Sequence, residues 1–163
     1  MQYKIVIKNN SHQKYLFLDI DGVLNDHSIY DKLGIDHHHT KNFILQKEKI
    51  NLLNQIVEKY NPIIILSSYW RKKYSIKKIN KIFKKNGFIG HISDKTTNKG
   101  KEHDDRWNQI KKYITKNNIK NFIILDDLHL TKHHDSIVPN LIKPNSNVGI
   151  LPKHLEQINN IWN

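Results

Sequence analysis

Three apolar runs constrain this chain more than anything else in it: YLFLDI at 15–20, PIIIL at 62–66 and NFIIL at 121–125. A strand with one face in water alternates apolar and polar residues. An unbroken run suits a strand covered on both faces, as in a parallel sheet. Between the runs, apolar residues recur at helical spacing: Ile50, Leu53, Ile56, Val57 and Tyr60, then Ile76, Ile79, Ile82 and Phe83, then Trp107, Ile110, Tyr113 and Ile114. Strand, helix, strand, helix is the order of an α/β protein with a doubly wound, Rossmann-like parallel sheet. Weaker patterns predict further strands at Phe88 to Ile92 and Asn140 to Ile142, an edge strand in the opening YKIVIK, and a closing helix after Pro152 carrying Leu155, Ile158 and Ile161.

A length of 163 residues fits one domain over 1–163 with no linker. No stretch of eighteen apolar residues exists, and MQYKIVIKNN lacks the features of an export signal. The expectation is a soluble, cytoplasmic protein with no membrane partner. Cysteine is absent, which excludes disulfides, thiolate metal sites and cysteine nucleophiles. The formal charge of +12 suggests a polyanionic partner such as nucleic acid. A chain rich in lysine, asparagine and isoleucine and lacking alanine also fits an AT-rich coding bias, so charge alone does not decide the partner.

Each buried run ends in acids or hydroxyls: Asp19, Ile20, Asp21 and Gly22 after the first, Ser67 and Ser68 after the second, Asp126 and Asp127 after the third. Ligands of open parallel sheets bind beyond the carboxyl ends of the strands, so these endings belong to one site. Carboxylates gathered there repel one another unless a cation or strong donors compensate, and oxygen ligands favour a hard ion, most plausibly magnesium. Residues two apart on a strand share a side, so Asp19 and Asp21 can serve one reaction centre, and Gly22 lets the chain turn away. A polar strand end and turn is the plainer reading of Asp-x-Asp-Gly taken by itself.

LFLDIDGVLN, IIILSS and FIILDD resemble the first, second and fourth motifs of the haloacid dehalogenase superfamily, over residues 15–127. The resemblance implies a phosphoric monoester hydrolase in which Asp19 attacks phosphorus and Asp21 serves as acid and then base. It also implies that Asp19, the carbonyl of Asp21, and Asp126 or Asp127 hold magnesium, while Ser67, or Ser68 if the strand runs one residue further, binds the phosphoryl group. The third motif is a basic residue, with Arg106 the first choice, Lys101 the second and Lys99 also in range. LSSYWR and the arginine before LDD are similar to small stand-alone members linked with RNA repair and to the 3'-phosphatase domain of phage polynucleotide kinases. That likeness implies phosphorylated DNA or RNA ends as substrate. Nucleotide, sugar or protein phosphate is the alternative, and a non-catalytic protein that binds magnesium and nucleic acid is another.

The segments where the superfamily inserts cap domains are short here, which predicts a minimal cap or none. Lys73, Lys77, Lys78, Lys81, Lys84 and Lys85 suggest a phosphate-backbone track on one helix, or simply a solvated face. His37, His38 and His39 read as an exposed loop cluster, with metal or phosphate binding the alternative, and Trp70 as a packing residue that orients the Ser67 loop, with base stacking the alternative. Only two of the 27 basic residues are arginine, and both flank the site. A guanidinium fork grips two oxygens where an ammonium cannot, which suggests that Arg106 neutralises the phosphoryl group and Arg71 binds substrate beside it.

Overall fold

The computed structural model describes residues 12–34, 44–97, 102–129 and 135–163. Five short strands, β1 (Tyr15–Leu18), β2 (Ile63–Leu66), β3 (Ile92–Lys95), β4 (Phe122–Leu125) and β5 (Leu141–Ile142), form one sheet in the order β3-β2-β1-β4-β5. Every pairing is parallel. The unbroken apolar runs are explained by burial on both sides. Leu16, Leu18, Ile64, Leu66, Ile123 and Leu125 face one core, and Phe17, Ile65, Phe122 and Ile124 face the other.

Helices α2 (Lys47–Tyr60), α4 (Ile76–Lys85) and α6 (Pro152–Trp162) cover the first face through Ile50, Leu53, Ile79, Phe83, Ile158 and Trp162. Helix α5 (Glu102–Lys116) covers the second through Trp107 and Ile110. The chain thus moves outward from β1 through β2 to β3, and α5 carries it back across the opposite face to β4. The order reverses between β1 and β4, where a doubly wound sheet opens a crevice at its carboxyl edge.

Two short helices carried no readable period in the sequence. Helix α1 (His27–Leu33) starts at Asp26, whose carboxylate accepts from Ile29 N at 3.1 Å, and stops at Gly34 with φ 62°. Helix α3 (Trp70–Lys73) follows the serines after one residue, Tyr69. The expected strand at Phe88 to Ile92 is displaced. Phe88 instead packs edge-on to Phe83 of α4, and β3 begins at Ile92, whose backbone N–H and carbonyl are both bound by the Asn80 side chain. The opening YKIVIK segment, His37, His38 and His39 lie outside the described residues, as do Lys99 and Lys101.

Candidate active site

Register builds the site. Leu18 pairs with Leu66 on one side and Leu125 on the other, so the next residues, Asp19, Ser67 and Asp126, come side by side. Their backbones extend the ladder, with Ser67 N donating to Leu18 O and Asp19 N to Leu125 O, both at 3.0 Å. Thr96 joins the row from the next strand, donating its N–H to Leu66 O at 3.0 Å. Alternation along each strand turns these side chains toward the α5 face.

From that face Arg106 meets them. Its Nη1 lies 3.1 Å from Asp19 Oδ2 and 3.1 and 3.0 Å from the two oxygens of Asp126. Arg106 sits in the second turn of α5 rather than at its start, buried beside Trp107. Asp126 is fully buried, and its Oδ1 also accepts from Leu128 N at 3.0 Å. The hydroxyls of Ser67 and Thr96 are buried with no hydrogen-bond partner. Buried polar atoms are nearly always paired, so an orphaned hydroxyl in this row is a donor held for a ligand.

Asp19, Asp126 and Asp127 bring carboxylate oxygens within 4.8 Å of one another. Burial raises the pKa of Asp126 above the usual carboxylate range, and Asp19 adds to the rise, while Arg106 and the Leu128 N–H oppose it. Asp127 moves upward for the same leading reason, reinforced by Asp19 and Asp126. One guanidinium does not offset three carboxylates, and an all-oxygen donor set of this kind fits a hard divalent cation.

The Asp21 side chain stands apart from that cluster. Asn25 Nδ2 donates to its Oδ1 at 2.9 Å, and the indole Nε1 of Trp70 donates to its Oδ2 at 2.9 Å. Burial raises the Asp21 pKa, opposed by the bond from Asn25. Asn25 is held in turn, its Oδ1 accepting from Gly22 N at 3.1 Å and its Nδ2 reaching Tyr30 Oη at 3.0 Å. Gly22 has φ 79°, and a Cβ there would stand 2.2 Å from Asp127 Oδ2, so the turn after Asp21 is shaped to leave room for Asp127.

Arg71, Ser68 and the lysine track have surroundings that the sequence did not reveal. Arg71 is fully buried, and its guanidinium donates to Ser67 O at 2.5 Å, Ser68 O at 2.8 Å, Thr97 O at 3.2 Å and Gln109 Oε1 at 2.6 Å. It ties the ends of β2 and β3 to α5. Ser68 is buried too, its hydroxyl accepting from Trp70 N at 3.4 Å. The lysine track is also shortened. Because β3 is parallel to β2, α4 must run from the carboxyl edge back to the amino edge, so Lys84 and Lys85 end at the amino edge, Lys77 and Lys78 start at the carboxyl edge, and Lys73 belongs to α3 instead. Trp70 is a packing residue at 7% exposure, with the added bond to Asp21. Sequence reasoning missed the roles of Asn25, Thr96 and Gln109. Only Asn25, four residues past Asp21 in the first motif, carried a positional signal.

A parallel α/β sheet with Asp19, Asp21, Ser67, Arg106 and Asp126 at its carboxyl edge defines a haloacid dehalogenase type of domain, and that type implies a phosphatase-like hydrolase. The family model described as the HAD domain in Swiss Army Knife RNA repair proteins matches residues 15–155, and the chain belongs to that family. No curated protein and no solved structure gives a significant match. Among the described residues, no helix is long and apolar enough to cross a membrane.

Proposed function

We propose that the chain is a magnesium-dependent phosphatase that removes terminal phosphate from DNA or RNA through an aspartyl-phosphate. The observation that supports this best is the placement of Asp19 between Ser67 and Asp126 on adjacent strands, with Arg106 Nη1 3.1 Å from its Oδ2. The Asp19 carboxylate attacks phosphorus as the bond to the leaving oxygen breaks, and protonated Asp21 passes its proton to that oxygen. Asp21, now a carboxylate, takes a proton from water. The resulting hydroxide attacks the phosphorus of the aspartyl-phosphate, releasing phosphate and restoring Asp19.

The partnerless Ser67 hydroxyl donates to a phosphoryl oxygen, and Arg106 offsets the charge that builds on the transferring group. The carboxylates of Asp19, Asp126 and Asp127, with the carbonyl of Asp21, would hold magnesium, which supplies further positive charge at the phosphoryl oxygens. Lys101 is the alternative to Arg106 as the cation that meets the phosphoryl group. Arg71 and Ser68 hold the loop that presents Ser67. The family's tie to RNA repair and the formal charge of +12 favour a nucleic-acid end over a metabolite.

The test is a phosphate-release screen of wild type and Asp19→Asn against 3'- and 5'-phosphorylated oligonucleotides, nucleotides and sugar phosphates, with and without chelator. Oligonucleotide turnover that needs magnesium and is lost in Asp19→Asn is the expected result. Turnover surviving in Asp19→Asn removes the covalent route, and turnover confined to metabolites removes the nucleic-acid substrate.

A further inference from the structure

The loop leaving β2 splits its two aromatic side chains. Trp70 turns inward to Asp21, whereas Tyr69, one residue past Ser68, is 39% exposed. Two ammonium groups stand against the Tyr69 ring, Lys73 Nζ at 4.9 Å and Lys72 Nζ at 5.7 Å from its centroid. We propose that Tyr69, with Lys72 and Lys73, is the docking platform for an unpaired terminal nucleotide, the base stacking on the ring and the neighbouring backbone phosphates meeting the lysines. This rests on the nucleic-acid phosphatase reading above and states which part of that substrate the enzyme grips.

An exposed aromatic ring flanked by cations matches a nucleotide strand on both counts. Bases offer a π-face irrespective of sequence, and each linking phosphate carries a charge that lysine neutralises. A sugar phosphate has neither the flat face nor the second charge. The backbone that carries the ring is also fixed before anything binds. Arg71 fixes the carbonyls of Ser67 and Ser68 on its amino side. Lys95 Nζ donates to Arg71 O at 2.8 Å and Tyr74 O at 3.2 Å on its carboxyl side. Trp70 packs edge-on to Tyr74 beneath it, with centroids 6.0 Å apart. A loop held this way loses little backbone freedom when a base stacks on its ring. Its place in the chain, two residues from Ser67, puts it in the loop that leaves the candidate phosphoryl site. Stacking is sequence-tolerant, so the platform suits an enzyme that must accept any end, and it requires the last base to be unpaired.

The experiment compares kcat and KM of wild type, Tyr69→Ala, Tyr69→Phe and Tyr69→Trp on three substrates: a phosphorylated single-stranded oligonucleotide, the same strand with an abasic terminal nucleotide, and glycerol phosphate. Tyr69→Ala should raise KM for the base-bearing strand about tenfold. It should leave the abasic strand and glycerol phosphate unchanged, and Phe or Trp should restore the wild-type value. Lys72→Ser with Lys73→Ser should reduce the salt slope of oligonucleotide kcat/KM by about one to two. Equal losses on base-bearing and abasic strands, or no loss in Tyr69→Ala, overturn the platform while leaving the phosphatase reading intact. Failure of the wild type to act on any oligonucleotide instead overturns that reading and the platform with it.

Discussion

The indole Nε1 of Trp70 donates to Asp21 Oδ2 at 2.9 Å, a bond that joins the loop after β2 to the loop after β1. With Asn25 on the other oxygen, it fixes the plane of the carboxyl group proposed to protonate the leaving oxygen. Trp70→Phe keeps most of the buried ring and removes the donor. Turnover of alkyl phosphates, which need a proton on departure, should fall roughly tenfold, the worth of one hydrogen bond to a charged group. Aryl phosphates with activated leaving groups should lose less, because for them Asp21 is needed only to activate water. A plot of log kcat against leaving-group pKa is the check, and an identical slope in wild type and variant contradicts the role given to Trp70.

Substitution to lysine should separate the two arginines. Arg106→Lys removes the Nη1 group that reaches both Asp19 and Asp126, and kcat should drop by about tenfold or more through loss of transition-state charge stabilisation. Arg71→Lys leaves several buried acceptors unsatisfied, so its main effect should be on stability, about 3 kcal/mol. That corresponds to a thermal midpoint lower by roughly 6–12 °C for a domain of this size. Calorimetry and kinetics on both variants decide it, since a reversal of the two effects would exchange the assignments.

Gly22→Ala meets two obstacles at one position. Its φ of 79° strains any side chain, at about 1–3 kcal/mol, and the added methyl would displace the Asp127 carboxylate. The magnesium concentration giving half-maximal activity should therefore rise along with a drop in thermal midpoint. A metal titration unchanged from wild type would mean that Asp127 does not hold the ion.

His154 supplies a pH dependence away from the catalytic chemistry. Its buried Nδ1 accepts from Leu151 N at 2.9 Å at the start of α6, which requires the unprotonated nitrogen. Burial, then the nearby Lys153 and Lys49, lower its pKa below the ordinary 6.5. The unfolded chain thus binds the proton more readily, so this contribution is complete above about pH 6.5 and is lost as pH falls through the lower folded value. The thermal midpoint of wild type should decline from pH 7 to pH 5 more steeply than that of His154→Gln. Parallel curves would remove His154 from the explanation.

What the sequence made legible follows from what is local. Leu16 to Leu18, Ile63 to Leu66 and Phe122 to Leu125 declare themselves because burial on both faces leaves no polar position in the run. Asp19, Ser67 and Asp126 could then be placed because a strand end is one residue past its run. The direction of Trp70 and Tyr69 could not be read, since a four-residue helix has no period and neighbouring aromatics look alike until a partner such as Asp21 is known. Arg71 shows the same limit. The scarcity of arginine pointed to its neighbourhood, yet its acceptors, Thr97 O and Gln109 Oε1, come from distant stretches of chain. Phe88 misled because an apolar pentapeptide after a helix serves equally to plug that helix's core.

The row from Thr96 through Ser67 and Asp19 to Asp126 is spaced by the sheet itself. Neighbouring strands stand about 4.8 Å apart, so the backbone ladder is a ruler that fixes the width of the reaction centre before any loop is considered. A slip of β2 by one residue would turn Ser67 to the wrong face and bring Leu66 or Ser68 into its place. Loops beyond the strands can therefore vary in length or sequence without moving Asp19 relative to Ser67 and Asp126. An apolar substitution deep in β2 that disturbed its pairing would shift the chemistry while touching none of the groups that perform it.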